Sequence, residues 1–269
     1  MALYQRNGAL RTLVTKVISC QQVSTLADAE RALFKTAQGE DYVVATNETI
    51  FHAQGGGQPS DTGTMKSEED SGKEAAFDVK LVRKLPNDRI LHHGTFSNTE
   101  DLGLFAEGAS TVQQIDGAKR DFHSRLHTAG HVLGLAVKQL SEAGIVPKIA
   151  DEGKASHAPG SAFVEFQGLI GGEHKAAIQN KCAELVQQDL PVEICFWDED
   201  TVRSRCTAIP DAISTPDGLM RVVDIVGAGA YPCGGTHVLK TGDIGGVVVR
   251  KISRQKGITK ISYEIAEKV

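Results

Sequence analysis

One stretch constrains this chain more than any other: Arg120 to Gly134, reading RDFHSRLHTAGHVLG. Its histidines, His123, His127 and His131, recur every fourth residue. On an α-helix that spacing stacks them on one face. Two imidazoles one turn apart can close on a single metal ion, which then needs further ligands from elsewhere in the chain.

The surroundings support a helix. Asp116 can cap it, Gly144 can end it, and Phe122, Leu126, Ala129, Leu133, Val137 and Leu140 form its apolar stripe. At 100° per residue the histidines lie roughly 130° from the middle of that stripe, so they are not core histidines of the ordinary kind. Gly130 and Gly134 flank them, each costing a helix about 1 kcal/mol relative to alanine. A helix that carries this cost beside a histidine face is better explained by a site, with the glycines leaving clearance over the imidazoles.

The chain has 269 residues, enough for two domains, and 41% of them are hydrophobic, enough for substantial cores. No apolar run approaches the ~18 residues of a membrane span. The net charge of −5 argues against a protein that coats nucleic acid indiscriminately, although a local basic face is compatible with it. The five cysteines, Cys20, Cys182, Cys195, Cys206 and Cys233, show no paired spacing. With no secretory segment, they predict free thiols and a cytoplasmic protein. The N-terminal 27 residues are basic and acid-free like a mitochondrial transit segment, but Thr12–Cys20 reads better as a strand.

Residues 1–112 read as a small β-barrel domain, because closure removes the edges of many short strands: TLVTKVISC, DYVVATN, ETIFHA, FDVKLVRKL and RILHHGTF. A helix fits Leu26–Ala37, and the charged stretch Lys66–Glu74 reads as a solvated loop. Within this half lies HAQGGGQPSDTG, with Gly55, Gly56 and Gly57 followed by Gln58 and Pro59. Successive glycines make a tight turn, and the polar tip leaves contact with a ligand open. No GK[ST] follows, so this is not a nucleotide loop of the Walker type. Residues 113–269 read as a mixed domain, giving an α+β chain. After the histidine helix come a strand at SAFVEFQG, an amphipathic helix over Glu173–Leu190, strands at VEICFW and LMRVVDIV, a loop at GAGAYP, and a hairpin turning at Gln255–Gly257.

The missing ligands are found in CGGTH. Cys233 and His237 are spaced CxxxH, and the two glycines fold thiolate and imidazole toward one point. With His127 and His131 they make a set of one sulfur and three nitrogens, which favours zinc over magnesium or calcium. His123 becomes a support for that set. His52, His92, His93, His157 and His174 are taken as ordinary surface or structural residues.

HTAGH at 127–131, PCGGTHV at 232–238 and GGGQPSDTG at 55–63, in that arrangement, resemble the standalone alanyl-tRNA editing proteins. These share an editing domain with alanyl-tRNA synthetase and, more distantly, threonyl-tRNA synthetase, and the resemblance spans nearly the whole chain. It implies hydrolysis, in trans, of tRNA(Ala) mischarged with serine and by extension glycine. It implies Zn2+ on His127, His131, Cys233 and His237, with Gly55, Gly56, Gly57, Gln58, Gly130 and Gly134 beside the aminoacyl ester. It implies neither ATP nor a membrane as partner, and says nothing of oligomeric state. One departure stands out: the threonyl editing domains carry Asp two residues before the cysteine, where this chain has Tyr231.

For the tRNA, the basic residues beside the site, Lys119, Arg120 and Arg125, and the C-terminal group Arg250, Lys251, Arg254, Lys256 and Lys260 form the candidate surface. Four protein ligands make a closed site, whereas catalytic zinc keeps a position open. Five-coordination, an outer ligand, or zinc orienting the substrate while another group handles water each reconcile the two. A zinc hydrolase of another ester, and a zinc-stabilised tRNA-binding module without catalysis, remain the rival readings.

Overall fold

A computed structural model describes residues 1–67, 75–209 and 218–266. The chain divides into two compact units, one of Met1–Gly55 with Pro59–Arg120, the other of Gly56–Gln58 with Asp121–Val269.

The first unit is the expected barrel. After a short helix α1 (Leu3–Arg6), strands β1 (Thr12–Gln22), β2 (Tyr42–Thr46), β3 (Gly63–Ser67), β4 (Ala76–Lys84), β5 (Ile90–Phe96) and β6 (Ser110–Ile115) close in the order β1-β2-β5-β4-β3-β6. Every pairing is antiparallel, and β6 returns to β1 with Thr12 opposite Gln114. Alternating residues such as Val17, Val44, Met65, Phe77, Val79 and Ile115 fill one core cluster, while Val14 on the opposite face of β1 is exposed.

Two expectations fail here. In the ETIFHA segment Thr49 to Ala53 are buried but join no ladder, because side chains take backbone donors there. Ile50 N donates to Gln113 Oε1 (3.0 Å), Phe51 N to Thr49 Oγ1 (3.0 Å) and His52 N to Asp61 Oδ2 (2.6 Å). The expected helix over Leu26–Ala37 shrinks to α2 (Asp28–Arg31), and tight turns such as Phe34 N to Arg31 O (3.0 Å) follow it. Most of the Lys66–Glu74 segment lies outside the described residues; Lys66 and Ser67 end β3.

Arg120 also belongs to this unit, and it is 1% exposed. Its guanidinium forms an ion pair with the equally buried Asp61 and donates to the carbonyls of Gly8 (3.0 Å) and Ile50 (2.6 Å). A guanidinium spent in this way cannot meet a phosphate, so Arg120 leaves the candidate tRNA surface. It holds the glycine motif's aspartate instead.

Helix α3 runs from Gly117 to Glu142. Lys119 N donates to Asp116 Oδ1 (3.0 Å), the expected cap, and Gly144 at φ 71 turns the chain away. Leu126, Ala129, Leu133, Val137 and Leu140 are buried as the stripe required, but so are Val132, Leu135 and Ala136. Phe122, at 38% exposed, is the exception.

The rest of the second unit comprises β7 (Glu152–Ser156), β8 (Phe163–Gln167), α4 (Lys175–Gln187), β9 (Val192–Trp197), α5 (Glu199–Arg205), β10 (Met220–Ile225), β11 (Gly229–Pro232), β12 (Val247–Gln255) and β13 (Ile258–Ile265). They form a four-stranded sheet β12-β13-β8-β7 and a three-stranded sheet β11-β10-β9. One core cluster joins α3 to both sheets and to Ile178, Cys182 and Leu185 of α4. The C-terminal hairpin turns through Lys256 (φ 50) and Gly257 (φ 82), the two left-handed residues of a two-residue hairpin. GAGAYP, expected as a loop, supplies β11, which pairs with β10 from Val222–Pro232 to Ile225–Gly229. All five cysteines are free, and no described helix is long and apolar enough to cross a membrane.

Candidate metal centre

His127 and His131 stand one turn apart on α3, with ring centroids 4.9 Å apart. Cys233 and His237 come from the turn after β11. The four ligand atoms all lie within 4.8 Å of one another. Glycine is required in that turn: a Cβ on Gly235 would run into the His127 ring and come within 2.8 Å of Gln58 Oε1. Gly235 N also donates to Cys233 Sγ (3.4 Å).

Hydrogen bonds fix which imidazole nitrogen carries the proton. Gln58 Oε1 can only accept, and it takes His127 Nδ1–H (2.7 Å) and the Thr236 backbone N–H (3.0 Å). Gln58 Nε2 donates to Thr236 Oγ1 (2.8 Å). The lone pair of His127 therefore sits on Nε2, 3.5 Å from Cys233 Sγ. On the opposite side, Thr128 spends its hydroxyl proton on Ser124 O (2.8 Å), so it accepts from His237 Nδ1–H (3.2 Å). His237 Nε2 then carries no proton and lies 3.3 Å from the same sulfur. His131 Nε2 is buried with no hydrogen-bond partner among the described residues. Burial, then the charges of His157 and Arg221, push His131 down to about 3, so it stays neutral. Burial likewise raises the Cys233 thiol, so a thiolate there calls for a cation beside it.

This donor set fits a tetrahedral ion. Arms of about 2.1 Å to nitrogen and 2.3 Å to sulfur give N···S edges of about 3.6 Å. The two edges to Cys233 measure 3.5 and 3.3 Å. His123 is buried one turn earlier, its ring 6.4 Å from that of Phe122, and is not one of the four.

The cluster opens on a cavity of about 500 Å³ whose walls include Gly57, Gly130, Glu152, His157 and Tyr231. A larger hollow of about 640 Å³, lined by Lys138, Lys148, Asp151 and Cys206, contains none of the four ligands; Glu152 and Ala208 face both. His127, His131 and Cys233 line the smaller one.

Two of its residues carried no signal in the sequence. His157 is 3% exposed and stacks on His127, with centroids 4.1 Å apart and planes 23° apart. Tyr263 donates its hydroxyl proton to Leu126 O (3.0 Å) and so accepts from His157 Nδ1–H (2.6 Å). Desolvation lowers His157 to about 4, and its neutral Nε2 has no partner among the described residues. Glu152, on β7, accepts from the Tyr231 hydroxyl (2.7 Å), and burial raises its carboxyl to about 7. Both residues sit in the polar stretch 148–160, where no periodicity singles out a residue.

The clearance expected over Gly130 and Gly134 is filled by protein. A Cβ on Gly130 would come within 2.5 Å of His157 Nδ1 and 2.6 Å of Tyr263 Oη. One on Gly134 would meet Tyr231 Oη and both carboxylate oxygens of Glu152, at 2.5 and 2.7 Å. Gly56 and Gly57 line the cavity, and Gly57 O accepts from His157 N (2.8 Å). Gln58 is spent on His127 and Thr236, while Gly55 falls in the first unit.

Of the basic residues, Arg125 is half-buried and donates to the carbonyls of Ile244 (3.0 and 2.9 Å) and Ala266 (2.9 Å), which removes it from a phosphate surface. Lys119 is exposed, its ammonium 3.1 Å from Thr62 Oγ1. Arg250 pairs with Glu264 (2.9 Å), and Lys260 lies over the Phe163 ring at 3.5 Å. Lys251, Arg254 and Lys256 are exposed.

Residues 220–262, which include CGGTH, match the family model of the threonyl and alanyl tRNA synthetase second additional domain. The chain is 31% identical over 220 residues to the alanyl-tRNA editing protein AlaX-M of Methanosarcina barkeri, covering 80% of this chain and 85% of that protein. It is equally similar to the AlaX-M of Methanosarcina acetivorans, at 31% over 221 residues and the same coverage. The alanine–tRNA ligase of Thermotoga petrophila is 30% identical over 225 residues, 83% of this chain but only 24% of the ligase. The chain belongs to the alanyl-tRNA editing protein family, related to the editing domains of the alanyl-tRNA synthetases.

Proposed function

We propose that this protein hydrolyses, in trans, the ester that joins a wrongly attached amino acid to tRNA(Ala), with seryl as the principal substrate and glycyl the second. It works in the cytoplasm on tRNA already charged, with zinc held by His127, His131, Cys233 and His237. The observation that carries this reading is the gathering of four ligand atoms within 4.8 Å beside a cavity of about 500 Å³. That volume lies in the range of small-molecule sites.

Bound zinc supplies positive charge that can polarise a carbonyl or bring a water's pKa to about 7. The protein's own groups do the rest. Gln58 and Thr128 hold two imidazoles in the tautomer that presents a lone pair to the ion. His157 Nε2, a neutral acceptor whose tautomer is fixed by Tyr263, is placed to orient the attacking water. The ring stack with His127 keeps that acceptor against the metal site.

The test is deacylation of Ser-tRNA(Ala), Gly-tRNA(Ala) and Ala-tRNA(Ala) by the purified chain, with elemental analysis of the same sample. Preferential loss of the seryl ester and about one zinc per chain are expected. Equal rates on the seryl and alanyl esters, or full activity without metal, would overturn the reading.

A further inference from the structure

Most polar groups around the cavity are already committed. The four ligands face one another, Gln58 and Thr128 hold their rings, and Tyr231 gives its proton to Glu152. The carboxylate of Glu152 is committed at one oxygen only. It is half-buried on β7 and lodged against α3 where Gly134 admits it, and Tyr231 is its one side-chain hydrogen-bond partner among the described residues. It forms no ion pair among the described residues. The ammonium of Lys138 favours its charge from a distance but donates to Thr207 Oγ1 (3.2 Å) rather than to Glu152, and the neighbouring Asp151 opposes that charge. Withdrawing a carboxylate from water without a paired cation costs free energy, and a cation entering the cavity would offset that cost.

The ester substrate of the proposed reaction brings one. Beside the scissile carbonyl, every aminoacyl ester carries an α-ammonium, whatever its side chain. The ligand set cannot receive it: a divalent ion with a single thiolate keeps a net positive charge, which repels an ammonium. Glu152 faces the same cavity and has the opposite sign. We propose that Glu152 receives the α-ammonium of the aminoacyl group and so orients the ester carbonyl toward the metal centre. This assignment rests on the hydrolytic reading given above. Tyr231 then has a defined task, holding one carboxylate oxygen (2.7 Å) so that the other faces the substrate.

Glu152→Gln tests this, because it keeps the shape and the acceptor for Tyr231 while removing the charge. Two esters are compared: Ser-tRNA(Ala), and the same tRNA after nitrous acid deamination, which puts a hydroxyl in place of the α-amino group. Each ester is read on both proteins, so the intrinsic reactivity of the ester cancels. E152Q is expected to lose about 10–100-fold in kcat/KM on the seryl ester, the range of a charge-assisted hydrogen bond, and less than 3-fold on the hydroxy ester. Its metal content should equal that of the wild type. Equal losses on both esters, loss of metal, or an unchanged rate on the seryl ester would each overturn the assignment. If E152Q fails to fold, Glu152→Asp decides: it keeps the charge and should keep the preference for the amino ester, and loss of that preference overturns the assignment. A wild-type chain that cleaves neither ester would refute the hydrolytic reading itself and this assignment with it, and the wild-type arm alone reveals that case.

Discussion

Gln58 shows how much of this site is decided by single side chains that hold no metal. Its one carboxamide oxygen accepts from both His127 Nδ1 and the Thr236 backbone, so the ring orientation and the CGGTH turn depend on the same atom. Removing such a partner costs about 10–100-fold in metal affinity. Gln58→Ala should weaken zinc binding by that factor in competition with a chromophoric chelator, while Gln58→Glu, which keeps an acceptor, should lose less. Glu152 gives a pH signature. Its carboxyl titrates at about 7 in the fold against an ordinary value of 4.5. Between those values the unfolded chain has already released a proton that the folded chain still holds. The stabilising contribution is therefore complete below about 4.5 and is lost as pH rises through 7. Glu152→Gln removes this dependence, so its melting temperature should gain on the wild type from pH 5 to pH 8; a constant difference would show that Glu152 titrates normally. Neither Glu152 nor His157 was legible in the sequence, whereas His127, His131, Cys233 and His237 were. Helical spacing and a glycine turn mark the ligands, but the other two residues enter the site only because β7 and the segment after it fold against α3, which no local pattern encodes.

The same contrast holds for whole elements. Helix α3 was legible because its cap, apolar period and terminating glycine all agree, and its ends fall where Asp116 and Gly144 place them. β11 was not: Gly-Ala-Tyr-Pro has no β-branched residue and ends on proline, and the segment is extended because β10 offers it a ladder. Arg120 misled for a similar reason. A basic residue in the first turn of a helix reads as a phosphate contact until Asp61, 59 positions away, is found beside it. The two helix glycines sharpen into a prediction. Alanine at position 130 should raise intrinsic helix stability by about 1 kcal/mol. Its Cβ, however, would strike a His157 ring that is stacked on His127 and tied to Tyr263, and so has nowhere to retreat. Gly130→Ala should therefore lower the melting temperature despite the better propensity, and should reduce deacylation at unchanged zinc content. A variant more stable than the wild type would show that the imidazole moves aside freely.

At the scale of the whole molecule, binding an RNA has to overcome a net charge of −5, so the contact must be local. The sequence offered eight basic residues for it, and the structure sorts them by what each already does. Arg120 and Arg125 are spent on protein acceptors, Arg250 has a carboxylate partner, and Lys260 lies on an aromatic face. On the C-terminal hairpin this leaves Lys251, Arg254 and Lys256 with no acid among them. Phosphate contacts release counterions, and each contributes about 0.7–0.9 to the slope of log affinity against log salt. The proposed interaction with tRNA(Ala) should therefore be strongly salt-dependent. Lys251→Ala, Arg254→Ala and Lys256→Asn together should flatten the slope by about 2 and weaken binding most at low salt. Asparagine is the choice at 256 because that residue sits at φ 50, a left-handed conformation that Asn tolerates and Ala resists. The measurement is a filter-binding titration at several salt concentrations on wild type and triple variant. Parallel lines of equal slope would mean that the hairpin does not touch the phosphates, and would turn attention to the exposed Lys119.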